Sequence, residues 1–270
     1  MDLGLKDRVY IVTGGSRGLG HATARELVAD GAKVVVTGRD ERTTAEAAAA
    51  LGPGAVGVAA DNSDPRTPDR LVAAAHEHFG GLHGILISVG GPPPGSALDN
   101  TDEQWQSAFD SVFLGAVRLA RTVATALGAG GTDGTGDPRG TGDPVDGDRG
   151  VIGFVLSSSV HEPVSGLTLS NGLRPGLAGF AKSLADELGP YGIRVVGLLP
   201  ARIDTDRVRE LDARTGDPEA ARAAFTARIP LRRYGSPQEF GRTAAFLLSP
   251  AASYLTGIML PVDGGARRGF

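Results

Sequence analysis

The sequence predicts an α/β fold in which a parallel sheet of about seven strands carries helices on both faces. Two observations predict it: short apolar, β-branched runs alternate with amphipathic helical patterns, and a glycine-rich turn joins the first run to the first helical pattern. Strands buried on both faces give continuous apolar runs, and right-handed crossovers wind such strands into a doubly wound sheet.

The predicted elements alternate along the chain. Apolar, β-branched runs predict strands at residues 9–12, 33–37, 55–59, 84–88, 151–156, 194–199 and 258–262. Apolar residues at helical spacing predict helices at residues 19–30, 42–51, 65–79, 102–127, 170–188 and 237–248. Because no Pro/Gly boundary divides the pattern into equal halves, we expect one domain over residues 1–270.

One segment departs from this alternation. Residues 128–150 consist almost wholly of Gly, Asp, Thr, Pro and Arg, a composition that cannot bury an apolar core. We interpret the segment as a flexible low-complexity insertion between a helix and the next strand. Its role stays open between a tolerated surface expansion and a lid or docking loop.

Composition and charge narrow the class of protein. Hydrophobic residues make up 41% of the chain and charged residues 21%, as in ordinary globular enzymes. The net charge of −4 gives no reason to expect a nucleic acid or a membrane as a partner. The absence of cysteine excludes disulfides and thiolate-bound metals, and no metal site is expected. Without a signal-peptide pattern or a long apolar span, the expected location is cytoplasmic.

The strongest motif is the turn Thr13-Gly14-Gly15-Ser16-Arg17-Gly18-Leu19-Gly20 between the first predicted strand and the first predicted helix. Glycines allow close approach of the backbone to a pyrophosphate, and the helix N-terminus offers free N–H groups and a positive dipole end. The strand–turn–helix context favours dinucleotide binding over a plain tight turn.

Several motifs together resemble the short-chain dehydrogenase/reductase family. The resemblance covers nearly the whole chain except residues 128–150, and it implies a single Rossmann-type domain with NAD(P)-dependent oxidoreductase activity on a small molecule. Within the family the chain resembles a divergent subgroup whose members look like 3-oxoacyl-acyl-carrier-protein reductases but have an altered catalytic tetrad. The motifs are the glycine turn, the helix from Trp105 to Gly115, and Pro261-Val262-Asp263-Gly264-Gly265 near the C-terminus.

The resemblance also implies which residues bind the cofactor. Asp61 and Asn62 correspond to the acidic contact near the adenine, and residues after the sixth predicted strand correspond to the segment that holds the nicotinamide carboxamide. The implied set is Gly14, Ser16, Arg17, Gly18, Leu19, Gly20, Arg39, Asp61, Asn62, Gly90, Pro200, Ile203 and Thr205.

The choice of nucleotide follows from the residues after the second predicted strand. An acidic residue there would accept hydrogen bonds from a ribose 2′-hydroxyl and select NAD. This chain has Gly38-Arg39 instead, and Arg17 lies in the glycine turn. Two guanidinium groups favour a 2′-phosphate, so the sequence predicts NADP(H). The alternative is that Arg39 is a solvated strand-end residue and that Asp40 binds the ribose.

The catalytic tetrad of the family is altered. Counting along the matching helix, Ser170 stands where the family has its tyrosine, Arg174 replaces its lysine and Val112 replaces its asparagine. Ser157, thirteen residues before Ser170, corresponds to the retained serine. A phenol with a pKa of about 10 can be tuned toward neutrality, whereas an aliphatic hydroxyl is a poor acid or base. Proton delivery by the usual tyrosine is therefore lost.

Two residues offer substitute chemistry. Arg174 preserves the positive charge and could bind ribose hydroxyls, an oxyanion or a carboxylate. His161 lies beside Glu162 on the loop that borders the substrate pocket in the family, and histidine is suited to proton transfer near neutral pH. The alternative for His161 is an exposed loop residue without a role.

The substrate entrance is expected at the run Gly91-Pro92-Pro93-Pro94-Gly95 and the segment 204–230. Arg207, Arg209 and Arg214 in that segment could favour an anionic substrate or lie on a solvated helix face. The family resemblance further implies a homo-oligomer, a dimer or tetramer, through the helices at 102–127 and 170–188 and the C-terminal strand.

Three functions are compatible with these residues. The first is NADP(H)-dependent oxidation or reduction of a carbonyl or hydroxyl group in a small-molecule or acyl-type substrate. The second is redox-neutral chemistry on the same fold, such as elimination, isomerisation or cyclisation. The third is non-catalytic binding of NADP. The intact glycine turn favours the first and third over the second.

Overall fold

A computed structural model describes residues 1–129 and 148–269. Its seven strands form one sheet with the order β3-β2-β1-β4-β5-β6-β7, and every neighbouring pair is parallel. The predicted fold class is confirmed. The strands are β1 Val9–Val12, β2 Lys33–Gly38, β3 Ala55–Ala59, β4 Gly84–Ser88, β5 Gly150–Val155, β6 Ile193–Pro200 and β7 Ile258–Val262.

The strand order reverses between β1 and β4, and a crevice for ligands forms at the carboxyl ends of the strands at such a point. The described helices that surround the sheet are α1 Gly18–Ala29, α2 Glu41–Leu51, α3 Thr67–Phe79, α4 Asp102–Ala108, α5 Gly115–Ala126, α6 Thr168–Leu188, α7 Asp206–Ala213, α8 Pro218–Arg228 and α9 Pro237–Leu248.

The helix predicted at 102–127 is interrupted. Between α4 and α5 the backbone forms a π-helical segment, Phe109–Leu114. Gly115 at its end lies so close to the carbonyl oxygen of Asn62 that any Cβ would overlap it. The start of α5 is therefore packed directly against the segment that follows β3.

Two apolar cores cover the two faces of the sheet. Successive residues of a strand point to opposite faces, so Val9 and Ile11 belong to one core while Tyr10 and Val12 belong to the other. Helices α3, α5 and α6 cover the first face, and α1, α2 and α9 contribute to the second. This packing fixes the carboxyl edge of the sheet, where the predicted site residues gather.

The predicted insertion at 128–150 falls mainly on residues 130–147, which lie outside the described residues. Its final part belongs to the fold. The buried carboxylate of Asp148 accepts hydrogen bonds from Arg194 Nε (3.1 Å) and Arg8 Nη1 (3.3 Å), and Gly150 begins β5. The predicted end of the insertion, residue 150, is wrong, because Asp148 and Gly150 are part of the fold. Local composition gives no sign of an ion pair with distant arginines.

Within residues 1–129 and 148–269, no helix is both long and apolar enough to cross a membrane.

Candidate functional site

The glycine turn is packed as tightly as its sequence predicts. Gly14 has φ of 58°, and a Cβ there would lie 2.5 Å from the carbonyl oxygen of Ser88. A Cβ on Gly20 would lie 2.5 Å from the carbonyl oxygen of Gly14. Larger residues would push the turn away from the end of β4, so the turn requires glycine at both positions.

The N-terminus of α1 is left open toward this turn. Its N-cap residue Arg17 makes no side-chain cap, and its first turn carries no acidic residue. The described helices α2, α4, α7, α8 and α9 each have an N-cap side chain that accepts a backbone N–H, whereas α3, α5 and α6, like α1, have none. Of the uncapped helices, α1 is the one that follows the glycine turn. Free N–H groups and the helix dipole at α1 fit the pyrophosphate of a dinucleotide, and Leu19 lies in the same first turn.

The turn also contacts the end of β2. Gly15 N donates to Thr37 O at 2.8 Å, and a Cβ on Gly38 would lie 2.7 Å from Ser16 Oγ. This places Ser16 against the residues that precede Arg39. Arg17 and Arg39 are both exposed, and in the described part of the chain no carboxylate pairs with either.

Asp40, the alternative ribose ligand, has a structural role here. Its carboxylate is the N-cap of α2 and accepts the backbone N–H of Thr43 at 2.8 Å. That backbone hydrogen bond, together with one from the Thr43 side chain, lowers the pKa of Asp40 below its usual value. The residues around the expected 2′ position are therefore Ser16, Arg17 and Arg39, a set suited to a phosphate.

Three further predicted cofactor residues follow β3 and β4. The carboxylate of Asp61 accepts hydrogen bonds from the backbone N–H and the hydroxyl of Ser63, at 2.9 and 2.8 Å. The backbone of Asn62 lies against Gly115. Gly90 is exposed, and a Cβ built on it meets no atom within 4 Å. The protein itself therefore leaves open space beside Gly90, next to the crevice where a ligand would bind.

The last predicted cofactor-binding segment, residues 200–205, lies beside the glycine turn. Pro200 ends β6, and Ile203 is buried and pairs with Gly235 in an isolated β-bridge. Thr205 caps α7 by accepting the N–H of Val208 at 3.4 Å. Its methyl group lies 4.0 Å from a Cβ built on Gly18. The segment and the glycine turn thus form two walls of one crevice.

Ser170, predicted to stand at the position of the family tyrosine, pairs with a second buried hydroxyl. Ser170 Oγ on α6 lies 3.2 Å from Ser159 Oγ, and both residues are buried. Ser157 Oγ accepts the backbone N–H of Ser159 at 3.1 Å and begins a 3₁₀ turn at Ser158–Val160, and its predicted catalytic role stays a prediction. The partner of Ser170 is therefore Ser159, which counting along the sequence missed.

Arg174 is buried one turn further along α6. Its Nη1 donates to the carbonyl oxygen of Val155 at 2.8 Å, at the carboxyl end of β5. Burial lowers its pKa to about 10, with a further contribution from the positive charge of Arg207. Among residues 1–129 and 148–269, no carboxylate lies within ion-pair distance of it.

His161 is not brought together with this group. It is exposed at the end of the 3₁₀ turn, and no hydrogen bond joins its ring to another described residue. The loop after it is fixed by Asn171 instead, whose side chain accepts from Val164 N (3.0 Å) and donates to Val164 O (2.9 Å). Asn171 is not among the residues predicted from the sequence, although a side-chain amide at the start of a helix can both donate to and accept from the preceding loop.

A small apolar cluster packs beside the start of α6. Val112 in the π-helical segment is buried with Ala108, Leu169 and Leu173. The Val112 side chain can neither donate nor accept a hydrogen bond.

Comparisons with known proteins identify the family to which the chain is similar. The family model for short chain dehydrogenases matches residues 8–216. The chain is 35% identical to L-rhamnose 1-dehydrogenase (NAD(P)(+)) of Azotobacter vinelandii over 97% of each chain. It is 29% identical to the 3-oxoacyl-[acyl-carrier-protein] reductase MabA of Mycobacterium bovis, over 97% of this chain and 94% of that one. The crystal structure of L-sorbose reductase from Gluconobacter frateurii, complexed with NADPH and L-sorbose, superposes over the full length of both chains with a TM-score of 0.87 and 27% identity.

Proposed function

The chain belongs to the short-chain dehydrogenase/reductase family, and on that premise we propose that it is an NADP(H)-dependent oxidoreductase with a non-standard active site. The reaction interconverts a carbonyl and a hydroxyl group on a small-molecule or acyl-type substrate. The relatives named above act on sugars and on acyl thioesters, so both classes belong in a first substrate panel.

The observation that carries the proposal is the open N-terminus of α1 behind the glycine turn. Gly14 and Gly20 allow no side chain, and the free N–H groups of α1 have no capping partner of their own. A pyrophosphate would satisfy these donors and the helix dipole together.

The preference for NADP(H) over NAD(H) rests on charge. Arg17 and Arg39 would hold a 2′-phosphate through charge-assisted hydrogen bonds, with Ser16 Oγ as a further donor. Asp40, which would favour a ribose hydroxyl, already caps α2. The NADPH complex of sorbose reductase supports this choice, whereas the name of the rhamnose dehydrogenase covers both nucleotides.

The chemistry at the substrate is assigned to three side chains. Bound NADP(H) supplies or accepts the hydride. Ser159 and Ser170 would hydrogen-bond the reacting oxygen as a pair. A water molecule bound with the substrate would give its proton to one hydroxyl as the other hydroxyl gives its proton to the reacting oxygen, so neither serine oxygen carries a full charge. The guanidinium of Arg174 stabilises negative charge on the same oxygen, more strongly because it is shielded from water.

The test is a titration of the protein with NADPH and NADH, followed by absorbance of the reduced nicotinamide with ketones, sugars and 3-oxoacyl thioesters. We expect tighter binding of NADPH and its oxidation by at least one class. The Arg39→Gln variant should weaken NADPH binding about tenfold and leave NADH binding unchanged. Tight NADPH binding without oxidation across the panel would contradict the reductase assignment.

A role for His161 as proton donor stays a prediction with its own test. Turnover in a His161→Ala variant, compared with Ser170→Ala, separates the two donors. If His161 delivers the proton, its removal lowers kcat and changes the pH profile. An unchanged rate rejects that role and leaves the hydroxyl pair.

We also infer a homo-oligomer, which the family resemblance implies. Two apolar side chains on the surface support it: Phe109 is partly exposed and stacks on Phe113 at 5.3 Å, and Tyr254 is fully exposed. Sedimentation velocity would show a dimer or tetramer, and a monomer at micromolar concentration would contradict the inference.

A further inference from the structure

Two arginines from different helices converge on the candidate active site. Arg174 belongs to α6, and Arg207 belongs to the first turn of α7. Arg207 Nη2 donates to Pro92 O at 2.8 Å, in the loop after β4. A Cβ on Gly91 would lie 3.0 Å from Arg207 Nε, so glycine gives the guanidinium room to lie along this loop.

The same loop is attached to the start of α6. Gly95 N donates to Gly166 O at 2.9 Å, and Gly95 pairs with Leu167 in an isolated β-bridge just before the helix begins. The loop from Gly91 to Gly95 therefore joins Arg207 to the helix that carries Ser170 and Arg174. The positive charge of Arg207 is close enough to contribute to the lowered pKa of Arg174.

Among the described residues, few carboxylates lie near the guanidinium groups of Arg174 and Arg207. Arg174 is only 5% exposed and donates to a neutral carbonyl. The nearest carboxylate to Arg207 in the described part of the chain is that of Glu210, at 3.9 Å and largely exposed. A buried or half-buried cation without a close anion is costly, and a bound anion would remove that cost.

Arg209, two residues further on, shows the opposite arrangement. Its Nε donates to Asp204 and its Nη1 to Asp206, both at 3.0 Å. The two arginines share one helix and one residue type, but only Arg207 faces the active-site loop. Arg209 is therefore a matched control for Arg207.

We propose that the substrate carries a carboxylate, which Arg207 binds beside the guanidinium of Arg174, so that the natural substrates are oxo acids or hydroxy acids. This inference rests on the function proposed above and names its substrate class. A carboxylate accepts two parallel N–H bonds from one guanidinium, which would fix the reacting carbonyl relative to Ser170. Arg207 is thus a residue that determines specificity, while Arg174 contacts the reacting oxygen.

The test uses oxamate and oxamide, an unreactive pair that differs chiefly in the carboxylate. Calorimetric titration of the protein, with and without saturating NADP⁺, should give a Kd for oxamate at least about tenfold lower than for oxamide. Arg207→Gln should remove this difference, and Arg209→Gln should leave it intact. NADPH binding should be the same in both variants.

Equal binding of oxamate and oxamide would overturn the inference, as would an Arg207→Gln variant that keeps the full preference. Loss of NADPH affinity in Arg207→Gln would also overturn it, because the arginine would then serve the nucleotide. The proposed function fails separately, if NADPH is not bound or is oxidised by no substrate in the panel. Turnover of neutral ketones without preference for oxo acids rejects only the carboxylate.

Discussion

Arg194 and Arg174 are equally buried, each 5% exposed, but they lie at opposite edges of the sheet and in opposite surroundings. Arg194, at the amino end of β6, donates to the carboxylate of Asp148 and to the carbonyl oxygens of Leu247 and Ser249. Arg174, at the carboxyl edge, donates to one carbonyl and has no carboxylate partner among the described residues. The first guanidinium is satisfied by the fold, and the second has capacity left for a ligand.

The hydrogen-bond partners of a buried guanidinium distinguish a structural charge from a functional one. Burying a charge costs free energy. For Arg194, the ion pair and hydrogen bonds with partners in several segments offset that cost. For Arg174 the cost is not recovered within the protein, and burial lowers its pKa to about 10. A protein retains such a group when a bound molecule supplies the missing partner.

The largest expected effect on stability comes from Arg194→Met. Removing this guanidinium leaves Asp148, among the described residues, with Arg8 at 3.3 Å and leaves the buried carbonyl of Leu247 without this donor, while Ser249 O keeps the N–H of Ala252. Breaking a buried pair costs about 3–5 kcal/mol. Urea unfolding should show that loss in the free energy of unfolding. The control Arg42→Gln, which breaks the exposed pair with Glu46, should cost below about 0.5 kcal/mol.

The distinction between the two arginines would be wrong if Arg174→Met lowered the free energy of unfolding as much as Arg194→Met. We expect its free energy of unfolding to stay within about 1 kcal/mol of wild type or to rise, because an apolar side chain replaces an unpaired buried cation. Its kcat/KM should fall by about 10²-fold or more, since stabilisation of the reacting oxygen is lost. Arg174→Lys should recover part of the rate. Destabilisation by several kcal/mol with an unchanged rate would assign Arg174 to the fold.

At alkaline pH we expect the protein to lose stability through Tyr10, which lies at the amino edge of the sheet. Burial raises the pKa of Tyr10, whose hydroxyl donates to Leu248 O at 3.1 Å, from 10.0 to about 12. The unfolded chain then loses this proton first, so the contribution is complete below pH 10 and is lost as the pH rises toward 12. The loss is on the order of 2–3 kcal/mol.

Unfolding of wild type and Tyr10→Phe between pH 8 and pH 12 measures that contribution. The variant should decline less steeply. Part of the decline persists, because burial also raises the pKa of Tyr234 to about 12. Parallel curves for the two proteins would show that Tyr10 titrates alike in the folded and unfolded states.

The smallest expected effects are those of replacing Ser159 and Ser157 with alanine, and they distinguish the roles of the two serines. Ser159→Ala removes the partner of Ser170 and should lower kcat about tenfold, with little change in KM. Ser157→Ala removes only the cap of a short 3₁₀ turn and should cost below about 1 kcal/mol in stability, without a comparable loss in kcat. The reverse result would return the catalytic role to Ser157, as the sequence count predicted.

The strands and the glycine turn could be predicted because their signals are local. Four of the seven strands begin and end at the predicted residues, since continuous apolar runs and neighbouring turns define them. Helices α7 and α8 escaped prediction, because α7 is mostly charged and α8, although rich in alanine, buries no residue. The π-helical segment likewise has no pattern that distinguishes it from α-helix.

The site was predicted only as far as the family pattern reaches. The positions of Ser170 and Arg174 on α6 follow from matching the helix around them. The pairing of Ser159 with Ser170 depends on how a 3₁₀ turn rotates three consecutive serines, which residue spacing alone does not specify. The burial of Arg174 and the ion pair of Asp148 depend on contacts between distant segments, which no local pattern records.

The open space beside Gly90 gives this molecule a practical use. The chain contains no cysteine, so a Gly90→Cys variant would carry a single thiol at the mouth of the crevice, and no atom of the described residues lies within 4 Å of the added Cβ. The rate at which a maleimide dye labels that thiol would then report occupancy of the crevice directly. NADPH should slow the labelling, and this readout works even for substrates that the enzyme binds without converting them.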